Sequence, residues 1–164
     1  KKKNLVILHA LANVQGFEWQ ITELIVKLAK ELKAKEIISF EGVGAEGILG
    51  KADTPKANYM TNAKFKSKCG EPLSDGIIVG VTGALLLRDD IKTTSIFAET
   101  HSELPDSRAA AQILCVADEY LDLGLDYTPL LKKAQEFEDK LRGIMERSKD
   151  ASTNAEKRNQ SYFG

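Results

Sequence analysis

NLVILHALANVQGFEWQITELIVKLAKELKAKEIISF, residues 4–40, is the stretch that decides the fold. Asn4–Ala10 is a continuous apolar run, the pattern of a strand buried on both faces of a parallel sheet. Glu18–Leu32 carries Ile21, Leu24, Ile25, Leu28 and Leu32 at spacings of three and four, with Lys and Glu between them. That spacing predicts an amphipathic helix. Glu36–Phe40 predicts a second strand. Strand, helix and strand make a βαβ unit whose crossover is expected to be right-handed.

Downstream the alternation continues. Glu41–Thr54 is glycine-rich and reads as a loop, and Lys56–Ala63 holds a short, polar strand. Lys64–Asp75 is a connection broken by Gly70 and Pro72. Gly76–Gly80 (GIIVG) predicts a strand, and Val81–Arg88 a short helix after a glycine turn. Thr93–Glu99 (TTSIFAE) predicts another strand, rich in β-branched residues. Asp106–Leu123 predicts a long helix capped by Asp106 or Ser107 and ended by Gly124. A last helix is expected from Thr128 or Pro129 to about Met145, with Leu130, Ala134, Phe137, Leu141 and Ile144 on one seam. This seam suits either the protein's own sheet or a contact between copies. The pattern predicts a three-layer α/β/α domain over residues 1–145 with a mostly parallel sheet.

Composition narrows the function classes. A chain of 164 residues with 43% hydrophobic and 29% charged content is enough for one globular domain with a core. A net charge of −1 gives no electrostatic footprint for nucleic acid or an anionic membrane. No apolar stretch approaches the ~20 residues that span a bilayer, and no secretory pattern opens the chain. Cys69 and Cys115 stand alone, with no C-x-x-C or Cys/His cluster. They read as reduced thiols of an intracellular protein without structural zinc, Cys115 being a core residue inside a helix. The sequence starts at Lys1 with apolar strand pattern by Leu5, so we expect a fragment that lacks an N-terminal part.

Three constellations carry possible chemistry. Gly42-Val43-Gly44-Ala45-Glu46-Gly47 matches G-x-G-x-x-G after a strand, the dinucleotide fingerprint. Gly50 and Pro55 then interrupt what should be the phosphate-binding helix, so the segment reads as a flexible glycine loop and no cofactor is expected. Gly80-Val81-Thr82-Gly83 turns a strand into a helix and can offer backbone N–H groups to an anion, but it lacks the lysine of a P-loop. A plain tight turn is the better reading. Glu99-Thr100-His101-Ser102-Glu103 lies at the carboxyl end of a strand, where α/β folds place their sites, with His9 at the equivalent end of the first run. These residues either do acid–base or nucleophilic work or order the loop before the Asp106 helix. No G-x-S-x-G elbow surrounds Ser102.

Residues 146–161, ERSKDASTNAEKRNQS, contain no large apolar side chain that could tie them to a core. We expect residues 146–164 to form a disordered tail, because such a segment cannot offset its ordering entropy. Tyr162-Phe163-Gly164 then puts two aromatic rings and a carboxylate at its tip.

Taken in order, G-V-T-G-A-L-L-L (Gly80–Leu87), F-A-E-T-H (Phe97–His101), D-S-R-A-A (Asp106–Ala110) and L-D-Y-T-P-L (Leu125–Leu130) resemble the proteasome assembly chaperone family, and its archaeal branch in particular. The resemblance covers about Asn4–Met145. Ser107 stands where the family commonly has Pro, and the family's N-terminal portion has no counterpart in the sequence. The resemblance implies a fold like that of purine nucleoside phosphorylases and related hydrolases, with Gly80, Gly83, Glu99, Thr100, His101 and Asp106 as motif positions of structural rather than catalytic use. It implies a cytoplasmic, non-enzymatic, homo-oligomeric partner of the proteasome core particle and its α-ring. Some members of the archaeal branch resemble activators that dock through a C-terminal hydrophobic-Tyr-any motif. Tyr162-Phe163-Gly164 is similar, with Phe163 lacking the hydroxyl. The alternatives are a nucleoside-like small-molecule enzyme on the same fold and an adaptor for another protein client.

Overall fold

Thr93–Thr100 is the strand on which the sheet is built. Its β-branched and aromatic side chains suit a pleated surface covered on both sides, and Thr94, Ser95, Ile96, Phe97 and Ala98 are all buried. The computed structural model describes residues 4–44, 56–100, 106–137 and 139–140. Along the chain these form α1 (Glu18–Glu31), β1 (Ile37–Gly44), β2 (Ala57–Met60), β3 (Glu71–Pro72), α2 (Gly80–Leu86), β4 (Thr93–Thr100), α3 (Ser107–Leu121) and α4 (residues 128–137 and 139–140). The strand order is β1-β4-β2-β3. β1 runs parallel to β4 from Ile37 opposite Thr93 to Gly44 opposite Thr100, β2 runs antiparallel to β4, and the short β3 is parallel to β2. The fold is therefore α/β with a mixed sheet.

The core gathers where α3 covers the sheet. Ala57, Tyr59 and Ile96 meet Val116 and Ala117 of α3, with Ile38, Phe65, Cys69 and Ile113 around them. Asp106 starts α3 by accepting from the N–H groups of Arg108 and Ala109 at 3.0 and 2.9 Å. Asp122, in the left-handed region, ends it. α2 packs on β4 and α1 packs on α2. Lys30, Arg88, Asp90 and Glu23 lace that helix pair. Asp90 takes Lys30 at 2.5 Å and Arg88 at 2.8 Å, and Arg88 also reaches Glu23.

Several expectations change. Asn4–Ala10 is not a strand. The segment has no regular structure, and Leu5, Val6, Ile7 and Leu8 are exposed. A strand needs a ladder, and among the described residues β1 pairs on one side only, with β4. The expected βαβ unit at the start of the chain is thus not formed. Gly76–Val79 is likewise an irregular approach to α2 with Ile77 and Val79 exposed, so the strand expected there is absent.

β1 extends four residues beyond Phe40 into the expected glycine loop. Gly42 allows this, because a Cβ there would stand 2.9 Å from Thr100 Cγ2 on the neighbouring strand. In α1 the buried positions are Thr22, Val26 and Ala29, while Leu24, Leu28 and Leu32 face outward. The small and β-branched row is thus the buried one, rather than the leucine row. The two cysteines are not free: Cys69 is bonded to Cys115 with Cα atoms 5.8 Å apart. They lie 46 positions apart in sequence, and only the packing of the β2–β3 connection onto α3 brings them together.

Candidate functional site

The carboxyl ends of β1 and β4 lie side by side, with Val43 opposite Glu99 and Gly44 opposite Thr100. Thr100 Oγ1 donates to the Val43 carbonyl at 3.3 Å. The Glu99 N–H donates to the Lys56 carbonyl at 3.0 Å, tying the end of β4 to the entry of β2. Glu99 is half-buried. Glu41 stands diagonally across on β1, and among the described residues its buried Oε2 has no hydrogen-bond partner. Two carboxylates thus share this end of the sheet. His101, the third member of the sequence motif, lies outside the described residues. His9 is exposed in the irregular N-terminal segment.

Gly80-Val81-Thr82-Gly83, expected as a tight turn leading into the helix, is the first turn of α2 itself. Gly80 has φ +71, which favours glycine, and opens the helix. A Cβ on Gly83 would come within 2.7 Å of the Ile78 carbonyl oxygen. Gly80 therefore allows the left-handed backbone at the helix start, and Gly83 lets the helix fold back on the segment that leads into it.

A second polar cluster, at positions that no motif singles out, sits at the amino ends of the same strands. Glu36 Oε1 accepts from Tyr120 at 2.7 Å and from Thr94 at 2.5 Å, while Lys92 Nζ reaches Glu36 Oε2 at 3.1 Å. Lys92 also donates to the Tyr120 hydroxyl at 3.0 Å. The Tyr120 hydrogen bond, with Glu36 behind it, holds the Lys92 ammonium above the usual lysine range. A groove lined by Met60, Thr61, Asn62, Arg88 and Lys92 opens beside it. No spacing rule links positions 36, 92, 94 and 120. Three separate elements supply them, and the polar groups are spent on one another.

Of the seam expected in the last helix, Leu130 is half-buried, Ala134 is buried and Phe137 is partly exposed. Arg108 Nη2 donates to Gln135 Oε1 at 3.2 Å, which sets α4 against α3. The centre of the seam is therefore covered by the protein itself. Leu141, Ile144 and the terminal Tyr162, Phe163 and Gly164 lie outside the described residues. Among the described residues no group of three or more His, Cys, Asp or Glu side chains is placed to hold a metal ion. No helix among them is long and apolar enough to cross a membrane.

The sequence profile of the PAC2 family matches residues 1–145. No curated protein matches the chain. Among solved structures, the monoclinic crystal form of Pyrococcus furiosus PbaA, described as an archaeal homolog of proteasome-assembly chaperone, is similar with TM-score 0.67 and 28% identity, covering 88% of this chain and 63% of that one. Another PbaA crystal structure gives TM-score 0.60 and 31% identity, covering 80% of this chain and 62% of that one. Pyrococcus furiosus PbaB, described as an archaeal proteasome activator, shares the fold at TM-score 0.66 and 20% identity, covering 81% of this chain and 60% of that one. The chain spans about three fifths of the length of these structures. The family profile covers nearly the whole α/β body and the solved folds agree with it, so the chain belongs to the PAC2 family.

Proposed function

We propose that this protein is a cytoplasmic, non-enzymatic homolog of the proteasome assembly chaperones or an activator-like factor, and that it binds the α-ring of the proteasome core particle as a homo-oligomer. The observation that carries this reading is the likeness to PbaA, 28% identical over 88% of this chain. The body, residues 1–145, adopts the three-layer α/β/α arrangement with a mostly parallel sheet in the whole protein. The tail, residues 146–164, carries Tyr162, Phe163 and Gly164 to the core particle. Its last fifteen residues have a random-coil reach of ~20 Å, enough to find a pocket beside a docked body. Several copies projecting from one oligomer multiply a weak contact through local concentration. Glu99, Thr100, His101, Gly80, Gly83 and Asp106 serve the structure of the body. In support of that, Thr100 and Asp106 bond to backbone groups, Gly80 takes a positive φ at the start of α2, and Gly83 permits the close approach of α2 to Ile78.

The test is capture of core particles by the full chain and by a chain ending at Ser161. We expect the full chain to capture and the shortened one to fail. Equal capture by both overturns the tail mechanism, and capture by neither overturns the proteasome reading.

A further inference from the structure

We propose that the Cys69–Cys115 bond is a redox-operated clamp that holds the connection between β2 and β3 on α3. The connection carries four anchors, all of them on or beside α3. The Ser67 hydroxyl donates to Glu119 Oε2 at 2.5 Å, and the Lys68 N–H donates to the same oxygen at 2.9 Å. Phe65 lies edge-on to both Tyr59 and Tyr120, with ring centroids 4.9 Å apart in each case. The fourth anchor is covalent, Cys69 to Cys115. Beside it the backbone comes so close to α3 that a Cβ on Gly70 would meet Val116 Cγ2 at 2.8 Å.

The clamp holds more than one loop. Gly70 leads directly into β3, the outer strand of the sheet. Cys115 Sγ also lies 3.3 Å from the Tyr127 hydroxyl, on the segment that enters α4. Opening the bond therefore leaves the β2–β3 connection held to α3 by non-covalent contacts alone, and it changes the sulfur that Tyr127 touches from a disulfide to a thiol. Both cysteines are only half-buried, so a small thiol can reach them. Their Cα separation of 5.8 Å is within the range found for disulfides.

The chemistry is thiol–disulfide exchange. A thiolate of a dithiol reductant attacks one sulfur, the other leaves as a thiolate, and a mixed disulfide forms. The second thiol of the reductant attacks that mixed disulfide, giving an oxidised, cyclic reductant and two protein thiols. The electron pair passes from reductant to protein. A small-molecule disulfide such as oxidised glutathione reverses it.

The test uses the full chain, equilibrated with oxidised glutathione or with dithiothreitol, and counts thiols by mass after alkylation. The expected result is no alkylated cysteine in the oxidised protein and two in the reduced one. Reduction should lower the melting temperature by roughly 5–15 °C, the scale set by cross-linking a loop of this length. It should speed amide exchange over residues 64–72 by about tenfold or more and leave α1 unchanged. Cys69→Ser should melt at the reduced temperature whatever the reductant. Two thiols that stay alkylatable after oxidised glutathione, or equal melting temperatures for fully oxidised and fully reduced protein, overturn the proposal. If Cys69→Ser does not fold, the comparison of oxidised with reduced wild type decides it alone.

Discussion

Asp106 shows what one side chain contributes to the start of a helix. Its carboxylate satisfies two N–H groups of the first turn of α3, which have no partner within the helix. Asp106→Ala should cost about 1 kcal/mol, read as a melting temperature lower by ~2–4 °C. An unchanged melting curve would show that the cap contributes nothing. Glu119 gives a residue-scale pH dependence. The Ser67 hydroxyl, followed by the backbone N–H groups of Lys68 and Cys69, holds its carboxyl below the usual glutamate range. A depressed acid is more protonated in the unfolded chain than in the folded one. Its contribution is therefore present above the ordinary glutamate pKa and lost as pH falls through the folded value. Glu119→Gln should be less stable than wild type at neutral pH and approach it in acid. Melting curves separated by the same interval at every pH would refute this.

At the scale of elements, α2 sets two effects against each other. Gly83 lies inside the helix, and by propensity alone Gly83→Ala would stabilise it by about 1 kcal/mol. The added Cβ would stand 2.7 Å from the Ile78 carbonyl oxygen, a backbone atom that cannot rotate away. Overpacking of this kind costs about 1–3 kcal/mol, so the clash should win and the variant should unfold at a lower urea concentration. A higher midpoint would mean that the segment before α2 gives way freely. The same economy of space explains β1. Gly42 and Gly44, two of the three glycines that look like a phosphate loop, are strand residues, and a Cβ on Gly42 would stand 2.9 Å from Thr100 Cγ2 on β4.

Among the described residues, many apolar side chains at the amino-terminal end lie outside the core. Leu5, Val6, Ile7, Leu8 and Leu11 before α1, with Trp19 and Leu24 on it and Leu32 at its end, are more than half exposed. Exposed apolar side chains grouped in this way are where the proposed contact between copies would form. The tail sets the prediction at this scale. Burying one aromatic ring is worth ~2 kcal/mol, so Phe163→Ala should weaken each tail's contact roughly thirtyfold. Phe163→Tyr should hold or strengthen it, by the ~1 kcal/mol of one hydrogen bond. Core-particle binding by interferometry reads both, and light scattering on the same samples reports the oligomer. Equal affinity for wild type and Phe163→Ala would exclude the aromatic tip as the contact.

Much of this was legible in the sequence. Periodicity placed α1, α3 and α4, because side chains three or four positions apart share a helix face, and β-branched and apolar content placed the central β4 and the start of β1. The ordered pieces Gly80–Leu87, Phe97–His101, Asp106–Ala110 and Leu125–Leu130 pointed to the family whose profile matches residues 1–145. Pairing was not legible. An apolar run is a strand only when another strand lies beside it, and that is why NLVILHA and GIIVG read as strands yet lie outside the sheet. Tertiary packing also decided the antiparallel placement of β2 and the face of α1 that is buried. It joined Cys69 to Cys115 and brought Glu36, Lys92, Thr94 and Tyr120 together. Each of these depends on residues far apart in the chain, whose approach is fixed by how whole elements pack and leaves no local spacing to read.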